Sequence, residues 1–188
     1  MQSPLADRDE VTRLEDQIAQ LKTELAAARA ALPPEPVEEH TLETLDGSTT
    51  LADLFGDRDK LLVVHNMGRT CPYCTLWADG FIGLLPHFET RSGFVSVSPD
   101  DPTSQAEFAA SRGWPFRMAS DPSHSFTKAM GYRTDEYVLP GVSAFVKDEE
   151  GRVFRTAHTA FGPGDDFSAV WHLFDLFDGV ALGWSPRL

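Results

Sequence analysis

Cysteine and basic residues are scarce in this chain of 188 residues. The only two cysteines are Cys71 and Cys74, and 16 Lys and Arg residues face 29 Asp and Glu residues, giving a net charge of −13. Since phosphate affinity comes from Lys and Arg, nucleic-acid and anionic-membrane partners are not expected. Apolar runs of membrane-spanning length and a signal-peptide pattern are also missing. We therefore expect a cytoplasmic protein.

The close spacing of the two cysteines leaves three interpretations open. In a reducing compartment such a pair is more often catalytic, redox-sensing or metal-binding than a structural disulfide. A structural zinc site needs four ligands, and without a second cysteine pair only His65 and His158 could join Cys71 and Cys74. Free cysteines are also often inert core residues. No metal and no cofactor other than a redox-active disulfide is predicted.

Residues 7–32 have the pattern of a single helix. Their apolar residues alternate steps of three and four, which is typical of a coiled-coil seam, although a helix packed on its own domain fits the same pattern. The seam residues are Val11, Leu14, Ile18, Leu21, Leu25, Ala28 and Leu32. Prolines at 33, 34 and 36 end the helix and indicate a stiff linker. We predict an arm and linker over residues 1–36, a possible homodimer through residues 7–32, and one domain over residues 37–188.

Strands and helices alternate along residues 37–188. Asp46-Gly47 predicts a hairpin turn, and Leu61 to Val64 form an apolar run typical of a strand buried on both faces. The fold class expected from this order is α/β, with a mixed sheet flanked by helices. Further strands are predicted at 94–97, 142–146 and 152–159, and helices at 72–88 with a break near Gly80, at 101–112, at 122–131 and at 167–177.

The stretch around the cysteines predicts an activated thiol. A buried strand runs into a short turn, and Pro72 occupies a favourable first helical position, so Cys71 would lie at the helix N-terminus. Free N–H groups and the helix dipole stabilise a thiolate there. Cys74 lies one turn later on the same side. We therefore predict Cys71 as the nucleophile and Cys74 as the resolving thiol of a thiol–disulfide exchange.

Several neighbouring side chains are candidates to support this pair. His65 could move protons or be a structural group at a strand end, and Asp79 could take a proton from Cys74 or cap a helix break. Tyr73 and Trp77 could line an apolar substrate surface. The full set of possible supporting residues is His65, Arg69, Thr70, Tyr73, Trp77, Asp79 and Val142.

Beyond this motif, the whole chain resembles a known family. The blocks LADLFGDRDKLLVVHNMG, CPYCTLWADGF, SRGWPFRMASDPSHSFTKAMGY and GVSAFVKDEEGRVFRTAHTAFGPGDDF resemble the bacterial DUF899 family of the thioredoxin superfamily. The resemblance implies a thioredoxin-like fold and a dithiol–disulfide oxidoreductase with its cysteine motif at Cys71 and Cys74. A protein or small-molecule thiol or disulfide would be its substrate, with an unidentified electron donor.

Two positions depart from related thioredoxin-like families. Thioredoxins carry a cis-proline at the strand facing the cysteines, where this chain has Val142, with Pro140 two residues earlier. Peroxiredoxins carry Thr three residues before the attacking cysteine, where this chain has Gly68. We therefore expect a peroxiredoxin-like peroxidase less than a disulfide reductase. A binding protein that keeps the fold without catalysis is the alternative of a different class.

Overall fold

The computed structural model describes residues 4–178 and 183–188. The first three residues of the predicted arm and residues 179–182 of the predicted domain lie outside the described residues. Contacts divide the chain into two compact units, Met1–Pro34 and Glu35–Leu188. The first unit contains helix α1, Pro4–Ala31, in agreement with the predicted helix. None of the described helices combines the length and apolar character that crossing a membrane requires.

The second unit is built on a mixed sheet of eight strands within the described residues. Their order across the sheet is β1-β8-β7-β4-β5-β6-β2-β3. The pairs β4–β5 and β5–β6 are parallel, and the remaining pairs are antiparallel. The strands are β1 Glu35–Val37, β2 Thr41–Thr44, β3 Gly47–Thr50, β4 Lys60–His65, β5 Gly93–Ser98, β6 Arg117–Ser120, β7 Gly141–Lys147 and β8 Val153–Ala160.

The helices of this unit begin and end at recognisable sequence signals. Asp101 caps helix α4 by accepting a hydrogen bond from the Ser104 N–H at 2.9 Å, as predicted. The predicted break near Gly80 is also present, because α2 passes through a 3₁₀ turn, Ile82–Leu84, into a short helix. The helices are α2 Pro72–Phe81, α3 Leu85–Phe88, α4 Pro102–Arg112, α5 Ser125–Ala129 and α6 Ala169–Asp178.

Alternate residues of the central strands contribute to two separate hydrophobic clusters. Leu61 and Val63 of β4 belong to the first cluster, together with Phe126 of α5. Val64 belongs to the second cluster, which also contains Trp77 and other residues of α2. Because successive side chains of a strand point to opposite faces, the two clusters lie on opposite faces of the sheet. Helix α2, which begins just after Cys71, therefore covers the second face.

The structure differs from the sequence prediction in three segments. The strand β1 begins at Glu35, inside the segment predicted to be a linker, and pairs with β8. Proline is tolerated there because β1 is an edge strand. The strand β6 lies between two predicted helices and was not predicted at all. Helix α5 is shorter than the predicted 122–131, because His124 adopts a positive φ of 60° just before it.

Candidate functional site

Cys71 occupies the N-cap of α2. Its backbone is extended, with φ −91° and ψ 105°, and its Sγ accepts a hydrogen bond from the Cys74 N–H at 3.1 Å. Its carbonyl accepts hydrogen bonds from the Thr75 N–H and hydroxyl, each at 3.1 Å. These contacts hold the Cys71 sulfur at the positive end of the helix, as the sequence predicts.

The two free thiols have opposite electrostatic environments. The hydrogen bond from the Cys74 side chain lowers the pKa of Cys71 to about 7, with help from the Cys74 and Tyr73 backbone N–H groups, although partial burial opposes this shift. The same hydrogen bond, burial and the charge of Cys71 raise the pKa of Cys74 far above its ordinary range. Cys74 is 3% exposed, whereas Cys71 is half-buried. Cys71 is therefore the accessible thiolate of the pair, and Cys74 is the protonated partner.

The turn before Cys71 is held by Asp100, which follows β5. Its carboxylate accepts hydrogen bonds from the Arg69 backbone N–H at 2.9 Å and from the Ser98 hydroxyl at 3.0 Å. Gly68 adopts a φ of +112°, and a Cβ at this position would lie 3.2 Å from Asp100 Oδ2. The Arg69 guanidinium also lies 3.9 Å from Asp100. The side chain of Arg69, one of the predicted supporting residues, is therefore paired with a carboxylate.

His65 lies on the face of the sheet opposite α2. Its ring stacks on Tyr132 with a centroid distance of 3.9 Å, and its Nε2 lies 2.9 Å from Ser143 Oγ. Burial, aided by the positive charge of Arg155, lowers the pKa of His65 to about 3. A neutral imidazole on this face contacts Tyr132 and Ser143. The geometry favours the structural interpretation of His65 over the proton-transfer one.

Asp79 connects α2 to the C-terminal end of α4 and to the residues just after it. Its carboxylate accepts hydrogen bonds from the Trp114 indole at 2.8 Å and from the Arg112 Nε at 3.2 Å. Helix α2 continues past this residue to Phe81. The Asp79 carboxylate therefore holds α2 and the end of α4 together. It neither caps a helix break nor faces Cys74, so its contacts differ from both predictions.

The aromatic residues of the motif have different exposures. Trp77 is 2% exposed, and its indole donates to Asp165 at 3.3 Å. Its predicted place on a substrate surface is therefore wrong, because the side chain is part of the core. Tyr73 is half-buried and stacks on Trp171 at a centroid distance of 6.3 Å. Thr70, directly before Cys71, is exposed, so Tyr73 and Thr70 are both predicted supporting residues that solvent reaches.

Val142 lies in β7 on the face of the sheet that α2 covers. It pairs with Val64 of β4 and packs, partly buried, against the second cluster. Pro140 ends the preceding loop, and its carbonyl accepts a hydrogen bond from the Phe161 N–H at 2.8 Å. Every peptide bond within residues 4–178 and 183–188 is trans.

The residues predicted for an alternative metal site do not converge. His65 is buried against Tyr132, and His158 contacts the edge of the same tyrosine ring at a centroid distance of 6.2 Å. Both histidines thus lie on the first face, away from α2 and Cys74. In the part of the chain that the structure describes, no group of three or more His, Cys, Asp or Glu side chains could hold a metal ion.

Asp100 and Trp171 are the neighbours of the site that sequence reasoning missed. A signal for Asp100 existed, since it follows β5, the parallel neighbour of β4, and the carboxyl ends of parallel strands lie at one edge of a sheet. Trp171 had no such signal. It lies 100 residues from Cys71 in the sequence and reaches Tyr73 only through the packing of α6.

Comparison with protein-family models identifies the chain. The model described as "Bacterial protein of unknown function (DUF899)" matches residues 2–183. The chain belongs to the DUF899 family. This confirms the resemblance predicted from the sequence blocks. No curated protein sequence matches the chain.

Solved structures similar to this DUF899 chain share its fold. Reduced Prx3 from Vibrio vulnificus is 22% identical, with a TM-score of 0.58 over 77% of this chain and 97% of that one. Peroxidoxin BcpB from Mycobacterium tuberculosis is 22% identical, with a TM-score of 0.54 over 81% and 97%. Peroxiredoxin Q from Xanthomonas campestris is 20% identical, with a TM-score of 0.55 over 73% and 90%. The predicted thioredoxin-like α/β fold is confirmed.

Proposed function

We propose that this protein is a thiol–disulfide oxidoreductase of the reducing cytoplasm. The observation that carries the proposal is the asymmetry of the pair: the Cys71 sulfur is a half-buried helix cap with a pKa of about 7, whereas Cys74 is buried and protonated. A thiol with a pKa near ambient pH is the best attacking group in disulfide exchange. Its substrate class is a protein or small-molecule disulfide.

The proposed reaction takes two exchange steps. The Cys71 thiolate attacks one sulfur of the substrate disulfide, and the other substrate sulfur leaves as a thiolate that takes up a proton. The Cys74 thiol then loses its proton and attacks Cys71 Sγ, which releases the second substrate thiol. The substrate gains two electrons, and the protein is left with a Cys71–Cys74 disulfide. An external dithiol reductant returns the pair to its starting state.

Reduction of insulin by dithiothreitol tests this proposal. We expect the wild-type protein to accelerate the reaction and Cys71→Ser to abolish the acceleration. Cys74→Ser should stop after the first step and accumulate a mixed disulfide on Cys71, visible as added mass without reductant. Full acceleration by Cys71→Ser would contradict the mechanism. A wild-type protein without any acceleration would favour the non-catalytic binding interpretation.

Thiol peroxidase activity is the second candidate, and the shared fold with several peroxiredoxins favours it. The Cys71 thiolate would attack one peroxide oxygen, break the O–O bond and become a sulfenic acid while water or an alcohol leaves. Cys74 would then attack the sulfenic sulfur, release water and form the same disulfide. The backbone at Gly68, with φ +112°, disfavours the threonine that peroxiredoxins carry there.

Peroxide consumption distinguishes the two candidates. We would supply hydrogen peroxide and dithiothreitol to the wild type and follow peroxide loss, and trap any sulfenic acid in Cys74→Ser with dimedone. A peroxidase should produce the dimedone adduct on Cys71 within seconds at micromolar peroxide. A disulfide reductase should show insulin reduction with slow peroxide loss, close to that of a free thiol.

A further inference from the structure

Helix α1 carries an exposed apolar seam. The helix belongs to a unit, Met1–Pro34, that contains no strand among its described residues. The large apolar side chains of the seam are between 44% and 62% exposed. They are Val11, Leu14, Ile18, Leu21, Leu25 and Leu32. An isolated helix is only marginally stable in water. Burial of these apolar side chains against a partner would therefore stabilise α1.

We propose that a second copy of this chain covers the seam, and that the two α1 helices form a parallel, two-stranded coiled coil. The seam repeats every seven residues. The first core position (a) holds Val11, Ile18, Leu25 and Leu32, and the second (d) holds Leu14, Leu21 and Ala28. The first two heptads combine a β-branched residue at a with leucine at d, which favours two parallel strands. A second copy presents the same spacing and therefore matches the seam along its whole length.

The charges beside the seam favour the parallel orientation. In a parallel pair, the position before each a residue faces the fifth residue further along the partner helix. This rule places Glu24 opposite Arg29 of the second copy, twice in each dimer. It also brings Glu10 near Glu15, but the Glu10 carboxylate is already paired with Arg13 of its own helix, with 2.8 Å between Oε2 and Nε. Glu24 also has a partner in its own helix, the Gln20 amide, which donates to Oε1 at 2.8 Å. That amide is uncharged, so the negative charge of Glu24 is left for Arg29 of the second copy.

Measurement of the molar mass tests the pairing. The full chain, kept reduced to prevent disulfide cross-links, would be studied by sedimentation equilibrium over a range of concentrations. We expect twice the chain mass of 20.8 kDa. Leu21→Lys keeps a good helix former but places two charges in the seam, and should weaken dimerisation at least about 100-fold. Ala26→Lys, an exposed position outside the seam, is the matched control and should leave the dimer unchanged.

A charge exchange tests the orientation. Arg29→Glu replaces two attractions by two repulsions and should weaken the dimer by roughly 3- to 10-fold. Glu24→Lys should do the same, and the double variant should recover wild-type affinity. Additive loss in the double variant would overturn the parallel arrangement.

The other outcomes overturn the proposal. A wild-type chain that is monomeric at all concentrations would mean that the seam packs on its own domain or binds another protein. A dimer that survives Leu21→Lys would place the interface elsewhere, and a trimer mass would contradict the two-stranded assembly. None of these results depends on the redox chemistry, because the mass is measured without a substrate.

Discussion

Cys71 and Cys74 lie one helical turn apart, but their thiols differ in reactivity. The Cys74 sulfur accepts a hydrogen bond from the Met67 N–H at 3.4 Å and is buried beneath the turn, whereas the Cys71 sulfur accepts the Cys74 N–H at the helix end. The largest cause of the lowered Cys71 pKa is the hydrogen bond from the Cys74 side chain. The two residues therefore act as a unit.

This coupling predicts how Cys71 responds to changes at Cys74. In the wild type, alkylation of Cys71 by iodoacetamide should reach half of its maximal rate near pH 7, because the thiolate forms above the Cys71 pKa of about 7. Cys74→Ala removes the side-chain donor and should slow alkylation at pH 7 by roughly 3- to 10-fold. Cys74→Ser keeps a hydroxyl donor and is the control. Equal rates in the Ala and Ser variants would contradict the assigned cause.

The lowered pKa of His65 leads us to predict that the protein loses stability in acid. The pKa of His65 falls from the ordinary 6.5 to about 3 on folding, so below pH 6.5 the unfolded chain binds a proton that the folded chain does not. This group should thus lower the free energy of unfolding by up to about 1.4 kcal/mol per pH unit between pH 6.5 and 3.

Urea unfolding at pH 7, 6 and 5 checks the His65 prediction. The variant His65→Gln should show a smaller loss of stability between pH 7 and 5 than the wild type. His87 is exposed, and His87→Gln is the control. This variant should lose as much stability between pH 7 and 5 as the wild type. An identical pH dependence in all three proteins would show that His65 is not the responsible group.

At the scale of elements, replacing each of two glycines by alanine should change the free energy of unfolding in opposite directions. Gly141 begins β7, and an added Cβ would overlap Tyr132 and the backbone of Thr159. Gly141→Ala should therefore cost about 2 kcal/mol or more of unfolding free energy. Gly80 lies in α2 with open space around it. Gly80→Ala should therefore add about 0.5–1 kcal/mol to the free energy of unfolding. Urea midpoints measure both, and a stable Gly141→Ala protein would contradict the close approach of Tyr132.

The elements with strong local signals were predicted correctly. The apolar strand β4, the proline that starts α2 and the Asp101 cap of α4 each depend on a few adjacent residues. The two missed strands have no such signal. The strand β1 contains Pro36, and β6 has four residues, so both depend on partners far along the sequence.

At the scale of the whole molecule, β1 connects the start of the second unit to its sheet. Glu35 pairs with Arg155 of β8, with 2.7 Å between Oε2 and Nη2, and the Arg155 side chain is 14% exposed. A truncated chain that begins at Glu35 should keep the stability of the second unit. A chain that begins at Glu38 lacks β1 and leaves Arg155 without this carboxylate, which should cost about 1–3 kcal/mol.

Thermal or urea unfolding of the two truncated chains checks this prediction. The three-residue difference between them isolates β1 from the loss of α1. Equal transition midpoints would show that the pairing of β1 with β8 contributes nothing to stability.

The sequence by itself determined the family, the alternation of strands and helices, and the place of Cys71 at a helix start. These features depend on patterns among neighbouring residues, and residues such as proline allow few local conformations. Only the tertiary structure decided which side chains surround the pair. His65 is six residues from Cys71 but lies on the face of the sheet opposite the helix that Cys71 caps, while Asp100 reaches Arg69 across 31 residues. The physical reason is that a side chain's neighbours depend on strand order and on the face it points to, and both depend on contacts distant in sequence.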